Sequence, residues 1–175
     1  MTSRSHGYGR CHPLMACEIV SSNGAVFALW GRPTPEDMDR VKSALQTAAN
    51  ECGHPVVYIT RVPVNAPPPD AASRARLDKM MPAIVLACSS YHVVLEGDGF
   101  GAAVKRGILT GLFQLSWRRK TFFVHASVNE VARNVESEQQ RAVHAILDLA
   151  AKRGLLSGPA PGSLSPANGG SGHAA

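Results

Sequence analysis

Two side chains that could transfer protons stand at the ends of predicted strands. Glu96 ends the apolar run 92–96, and His125 lies near the end of the run 122–126. Ligands of open α/β sheets bind outside the carboxyl ends of the strands, so this pair could act as general acid and general base. It could equally form a buried hydrogen-bonded pair, and no nucleophile or oxyanion loop stands at a motif spacing from it. An enzyme is therefore the third functional interpretation, and no residue is predicted to be catalytic.

A glycine-rich loop follows the strand that ends at Glu96. Its sequence is Gly97-Asp98-Gly99-Phe100-Gly101. Because the loop leads from a strand into a helix, its amides could bind a phosphate, with Lys105 and Arg106 assisting one turn later. It lacks both the third glycine of a dinucleotide-binding turn and the lysine of a phosphate loop. The alternative is a tight turn with Phe100 in the core, so the loop is a candidate ligand or interaction loop only.

Ser73 is a candidate phosphorylation site. It lies in the first turn of a predicted helix that Asp70 caps. A phosphate there would be favoured by the helix dipole and could pair with Arg74 or Arg76. The alternative is an ordinary solvent-exposed serine in the first helical turn.

Histidine and cysteine residues cluster near the N-terminus, at His6, Cys11, His12 and Cys17. A zinc site normally shows tightly paired ligand spacings, which these residues lack. The other two cysteines, Cys52 and Cys88, fall on apolar helix faces and are expected to be small core residues. The sequence therefore predicts no metal site and no cofactor.

The bulk composition limits the kinds of partner. The chain has 175 residues, 45% of them hydrophobic, with a net charge of +5 and a pI of about 9.3. One core of ordinary size with tails is expected, and the mild positive charge permits an acidic partner without requiring one. Aromatic residues make up only 6% of the chain, which argues against a base-stacking surface. The short basic run Arg118-Arg119-Lys120 suits a helix end, so a nucleic-acid partner is not expected.

The cellular compartment is predicted from what the sequence lacks. There is no apolar leader at the N-terminus, no run of ~18 apolar residues and no CxxC pair. We therefore expect a cytoplasmic protein with reduced thiols and no membrane span.

Three β-rich runs, 56–60, 92–96 and 122–126, show no polar alternation, which is typical of strands buried on both faces. Segments with helical periodicity separate them, so parallel strands with right-handed crossovers are predicted. After the first run, residues 61–69 are predicted to form a stiff extended loop, which includes Arg61. The arms 14–20 and 25–30 flank Asn23-Gly24, a strong hairpin signal. The predicted fold class is α/β, with a mixed sheet of about five strands (the N-terminal hairpin plus three parallel strands) and four or five helices.

The helices have recognisable ends. One begins after Thr34 and ends at Gly53; the next begins after Asp70 and carries Cys88 on its inner face, with a kink at Pro82. The last helix begins after Ser127 with Glu130 completing a capping box, and a break is expected between 134 and 140. Residues 1–12 are predicted to be a flexible tail, 13–154 the domain and 155–175 a disordered tail.

The helix predicted at 102–117 is apolar on more than one face. Gly107 and Gly111 form a small-xxx-small pair, and Leu112 and Leu115 lie close by. An all-round apolar helix is either deeply buried or part of an interface, so a homodimer formed through this helix is one expectation and simple burial is the other.

The order of elements, with four of the segments, resembles the STAS fold of anti-sigma-factor antagonists and related bacterial proteins. The resemblance covers about 14–150, and the segments are Val56-Val57-Tyr58-Ile59-Thr60, Pro67-Pro68-Pro69-Asp70, Val93-Val94-Leu95-Glu96-Gly97 and Val124-His125-Ala126-Ser127. The family's phosphorylatable serine opens the helix after the second strand set. Here that place reads Asp70-Ala71-Ala72-Ser73, without the family's serine pair and glycine.

The resemblance implies a non-enzymatic protein-interaction module in bacterial signalling, with a regulator or a kinase-like protein as partner. Its working surface would include Asp70, Arg74 and the glycine loop. The second interpretation is a small-molecule binding protein, for a nucleotide or a lipid, that uses the carboxyl ends of the strands.

Overall fold

The computed structural model describes residues 17–63, 66–67, 70–97, 102–103, 105–107 and 122–156. They form an α/β fold around a five-stranded sheet of order β1-β2-β3-β4-β5. The strands are β1 Glu18–Ser22, β2 Ala25–Leu29, β3 Val56–Val62, β4 Cys88–Leu95 and β5 Phe122–His125. β1 and β2 pair antiparallel, and the remaining pairs are parallel. The predicted fold class is confirmed.

Four helices have described bounds: α1 Pro35–Cys52, α2 Ala71–Ala87, α3 Val128–Asn134 and α4 Ser137–Lys152. Residues 102–103 and 105–107 are also helical. None of the described helices is long and apolar enough to cross a lipid bilayer.

The β1–β2 hairpin turns at the predicted dipeptide. Asn23 and Gly24 have φ values of 39° and 84°, the positive values that a tight hairpin turn needs at both central residues. A Cβ added to Gly24 would meet the ring of His54 at 3.6 Å. A contact at that distance is an ordinary one, so the turn favours glycine for its backbone conformation alone.

Side chains cap the helices where the sequence predicts. Thr34 Oγ1 accepts from Asp37 N at 3.2 Å, and Asp37 Oδ2 accepts from Thr34 N at 3.2 Å. The α1 helix ends at Gly53, whose φ is 72°. Ser127 Oγ accepts from Glu130 N at 3.4 Å, but Glu130 Oε2 accepts from Ala126 N, one residue before the cap. The predicted break is confirmed, since α3 ends at Asn134 and α4 begins at Ser137.

Several predicted strand boundaries are wrong, among them the start of β4 and the end of β3. Cys88 is buried as expected, but it is the first residue of β4 and not part of a helix. The apolar helix continues without a polar break into Cys88, so composition does not mark the change. β3 extends past the predicted end at Thr60 to Val62. Arg61, which the sequence places in a loop, is therefore a strand residue paired with Val94.

Helices cover both faces of the sheet. Strand order rises one step at a time, and right-handed crossovers then place α1 and α2 on the same face. There they cover Val26 and Tyr58 with side chains such as Leu45 and Ile84. We call this side the α1/α2 face. The other side, the α4 face, has its own core in which α3 and α4 pack on the sheet; it includes Phe27, Val57, Ile59, Val94, Val131, Ile146 and Leu147.

The chain after α4 stays attached to the sheet. Leu155 is 3% exposed, and its backbone N–H donates to Ala150 O at 2.9 Å. The described fold therefore continues to Leu156, two residues beyond the predicted boundary at 154. Residues 1–12 and 157–175, which make up nearly all of the two predicted tails, lie outside the described part of the chain.

Candidate functional site

An apolar cavity of about 240 Å³ lies at the carboxyl ends of the parallel strands, on the α1/α2 face. Its walls are formed by Trp30, Met38, Val62, Leu77, Tyr91, Val93 and Leu95. The buried Gly31 also lines it, and we call the partly exposed lining residues Pro33, Ala66 and Pro67 the edge of the cavity. The carboxyl ends of the strands are where open α/β folds bind ligands.

Strand alternation produces the cavity. On β4, Tyr91, Val93 and Leu95 point to the α1/α2 face, while the residues between them point to the α4 face. On β3, the side chains of Thr60 and Val62 also point to the α1/α2 face. Opposite these strand residues, the lining is completed by Met38 of α1, Leu77 of α2, and Ala66 and Pro67 of the loop between β3 and α2.

The cavity is almost entirely apolar. Among the described lining residues, no side chain carries a charge. Burial raises the pKa of Tyr91, and the nearby Thr60 side chain opposes part of this rise, so the phenol stays neutral at physiological pH. A ligand in this space would meet hydrocarbon, the Trp30 and Tyr91 rings and a few hydroxyl groups.

Ser73 lies beside the cavity edge but is not the accessible serine that the phosphorylation hypothesis needs. It is 0% exposed, and its Oγ donates to Pro33 O at 3.1 Å. Its backbone N–H donates to Asp70 Oδ1 at 2.7 Å, and hydrogen bonding to Ser73 lowers the pKa of Asp70. The expectation of a solvent-exposed serine is wrong. Ser73 instead joins the first turn of α2 to the loop before α1, and a kinase would have to open that turn.

The candidate interaction loop is only partly described. Gly97 has φ 122°, and Arg106 Nη1 donates to Leu95 O at 3.1 Å and to Gly97 O at 2.9 Å. Arg106 therefore holds the end of β4, and its role toward an anion stays a prediction. Lys105 is exposed, as are Asp70 and Arg74 at the start of α2.

The rest of the predicted interaction surfaces cannot be compared with the structure. Gly99, Phe100, Gly111, Leu112 and Leu115 lie outside the described residues. Gly107 is exposed, and a Cβ added there would meet no atom within 4 Å. The self-association helix stays a prediction.

On the α4 face of β4, a buried row of polar side chains forms what we call the histidine network: Ser90, His92, His125 and Gln139. His92 Nδ1 lies 3.0 Å from His125 Nε2, and His92 Nε2 lies 3.0 Å from Ser90 Oγ. Ser90 Oγ donates to Gln139 Oε1 at 3.1 Å, and Gln139 Nε2 donates to Ser89 Oγ at 3.2 Å. The network therefore fastens the first turn of α4 to β4.

The side-chain amide of Gln139 determines the hydrogen-bond directions in the histidine network. An amide oxygen can only accept, so Ser90 gives its hydrogen to Gln139. Ser90 Oγ then accepts from His92 Nε2–H, and His92 Nδ1, which carries no hydrogen, accepts from His125 Nε2–H. In this arrangement His92 cannot take the serine's proton, so the network lacks an activated nucleophile.

Burial keeps both histidines neutral. Burial and, second, the neighbouring His125 lower the pKa of His92 to about 3. Burial also lowers the pKa of His125, while Glu130 acts in the opposite direction. The cavity beside Ser90 and His92 measures about 50 Å³, space for a few water molecules rather than for a substrate. The network is consequently a structural feature of the core.

The predicted Glu96–His125 pair does not form. Glu96 accepts two hydrogen bonds from Arg61, at 2.7 Å from Nε and 2.7 Å from Nη2, whereas His125 bonds to His92. Arg61 Nη1 also donates to Leu155 O at 2.6 Å. Arg61 is 6% exposed, so this ion pair fastens the carboxyl ends of β3 and β4 to the segment that follows α4.

A larger open cleft of about 540 Å³ lies at the opposite, amino-terminal edge of the strands. His54, Glu138 and Arg141 line it together with small residues of α4 such as Ala142 and Ala145. Its charged side chains are of both signs, and Gln139, which also lines it, is already bonded to Ser89 and Ser90. The cleft therefore offers no set of groups that favours one ligand class.

Metal binding finds no support in the described part of the chain, which contains no group of three or more potential ligands. His6, Cys11 and His12 lie outside it. Cys17 is buried, and burial raises the pKa of its thiol to about 12, so it is protonated at neutral pH and is a poor ligand.

Comparisons of this chain with protein-family models, with curated proteins and with solved structures find no match.

Proposed function

We propose that this protein is a non-enzymatic binding domain that takes up a small apolar ligand at the carboxyl edge of its sheet. The observation that supports this most directly is the 240 Å³ cavity bounded by Trp30 and Tyr91. Apolar, concave and partly aromatic surfaces are the usual form of small-molecule sites. A nucleotide fits the site poorly because its base and ribose carry many polar groups, and the described lining offers them almost only hydrocarbon.

The likeness to STAS domains belongs to the same proposal. The hairpin followed by parallel strands and helices agrees with the order that the resemblance implies. A regulatory role would follow from the position of the cavity, since Pro33, one of its edge residues, accepts the hydrogen bond that holds the first turn of α2. A bound ligand would stabilise that junction, which is where a partner was predicted to dock.

Docking of a regulator or a kinase-like protein at this edge is the second candidate function. It is favoured by the exposed charges Asp70 and Arg74, which adjoin the cavity edge at the start of α2. Such charges set partner choice and association rate. Capture of a partner by the wild type, lost in Arg74→Glu and retained in Arg133→Glu on the far face, would support it; equal capture by both variants would contradict it.

Blocking the cavity entrance tests the leading proposal. We expect apolar compounds to raise the melting temperature of the wild type, because binding to the native state alone stabilises it. Ala66→Phe should abolish the shift by placing a ring in the entrance. Ala75→Phe makes the same change at an exposed position of α2 and should preserve the shift. A shift of equal size in Ala66→Phe would show that the compounds bind elsewhere.

A further inference from the structure

The size of the cavity limits the ligand. An engineered cavity of about 150 Å³ is known to hold benzene, which is roughly 25 Å³ per carbon atom. At that density a space of about 240 Å³ accommodates about ten non-hydrogen atoms. Drug-sized ligands usually occupy pockets of about 300–1,000 Å³. One ring or one chain of about eight carbons fits, whereas the two chains of a membrane phospholipid do not.

The charge distribution places the ligand's polar group outside the cavity. No described lining side chain could compensate a buried charge, and an uncompensated buried charge is strongly disfavoured. Gly31 and Pro33 both line the cavity, and the residue between them, Arg32, is exposed. Hydrogen bonds to Ser73 lower the pKa of Asp70 most, and the charge of Arg32 adds a small further lowering, so the guanidinium lies on the side of the cavity that faces the start of α2.

We infer that the ligand is a single-chain or single-ring amphiphile with an anionic head, its apolar part inside the cavity and its head at Arg32. This inference rests on the proposed function and deepens it. Arg32 is exposed and forms no ion pair with any described carboxylate, Asp70 included. A ligand carboxylate can therefore approach the guanidinium from the solvent side.

Octanoate and 1-octanol, which share a chain and differ in head charge, test the inference. The chain contains two tryptophans, Trp30 and Trp117, so a Trp117→Phe background makes Trp30 emission a direct reporter of the cavity. We expect both compounds to change that emission. Arg32→Glu should weaken octanoate about threefold to tenfold, the range expected when a solvent-exposed ion pair is reversed, and should leave 1-octanol unchanged.

The control is Arg133→Glu, which makes the same charge change on α3, at the other face of the sheet, and should leave both affinities unchanged. If Arg32→Glu affects octanoate no more than it affects 1-octanol, the head group is not recognised at Arg32 and the inference is overturned. Binding of phosphatidylcholine vesicles without binding of octanoate would overturn the size limit. If no apolar compound binds, benzene and 1-octanol included, the cavity is not a ligand site and the proposed function is rejected with it.

Discussion

Lowering the pH from 7.5 to 5.0 should reduce the free energy of unfolding by about 2 kcal/mol through His92 alone. Burial lowers the pKa of this histidine to about 3 in the folded protein, against about 6.5 in an unfolded chain. As the pH falls through 6.5, the unfolded state takes up a proton that the native state excludes. Stability is therefore lost as the pH falls, and the loss continues toward pH 3.

The pH window separates this effect from that of the carboxylates. Asp and Glu side chains protonate mainly below pH 5, so between pH 7.5 and 5.0 the slope reports histidines. His125, whose pKa burial also lowers, adds to the slope in the same direction. Urea unfolding at several pH values measures it, and for a chain of this size 2 kcal/mol corresponds to about 4–8 °C in melting temperature.

His92→Gln should flatten this profile. Glutamine can still hydrogen-bond to Ser90 or His125 but does not titrate, so the variant should lose up to about 2 kcal/mol less than the wild type between pH 7.5 and 5.0. At pH 7.5 it should be the less stable protein by about 1–3 kcal/mol, because the network is no longer fully bonded. His144→Gln replaces an exposed histidine of α4 and is the matched control. If the free energy of unfolding of His92→Gln falls with pH as steeply as that of the wild type, the acid sensitivity does not come from the histidine network.

The fold could be predicted because local signals and global topology agree. Asn23-Gly24 specifies the hairpin, Thr34 and Asp70 mark helix starts, and the non-alternating apolar runs indicate strands covered on both faces. Each of these features depends on residues close together in the chain. The boundary errors fall where neighbouring elements share one composition, as at Cys88, where an apolar helix continues directly into an apolar strand.

The partners of Glu96 and His125 could not be predicted because they depend on strand register. Val94 pairs with Arg61 on one side and with His125 on the other. His92 and Glu96 lie two residues to either side of Val94 on the same face, so His125 is diagonal to both. The sequence had placed Arg61 in a loop and so left Glu96 without a cation. With β3 extended to Val62, Arg61 reaches Glu96, and His125 joins His92.

The sequence predicted where a ligand site could lie, but not the volume of the cavity or the residues that line it. The carboxyl edge of a parallel sheet is where ligands are expected. The empty volume, however, is the gap that remains between the side chains of Trp30, Leu77 and Leu95. Tertiary packing determines that volume, and no pattern along the chain encodes it. Ser90 and Gln139 were missed for a related reason, although the spacing of Ser90 and His92 on a strand, two residues apart, does place them on one face.

Glu96→Ala should reduce the free energy of unfolding by about 3 kcal/mol. The Arg61 side chain is 7% exposed and that of Glu96 is 23% exposed. Removing the carboxylate takes away two short hydrogen bonds to a buried guanidinium, and the loss of these charge-assisted bonds accounts for the cost. The same substitution loosens the attachment of Leu155, because Arg61 donates to the Leu155 carbonyl as well. Urea unfolding at pH 7.5 measures the change.

The exposed ion pair between Arg76 and Asp39 is the control for the effect of burial. Asp39→Ala removes the acidic partner of Arg76, where both side chains are more than 40% exposed, and should cost less than about 1 kcal/mol. The double variant Arg61→Met with Glu96→Leu removes both charges and should be more stable than Glu96→Ala, because two apolar side chains replace the buried ion pair. If Glu96→Ala and Asp39→Ala cost the same, the Arg61–Glu96 pair behaves as an ordinary surface contact. The carboxyl end of the sheet would then owe its order to the packing of Leu155 and α4 instead.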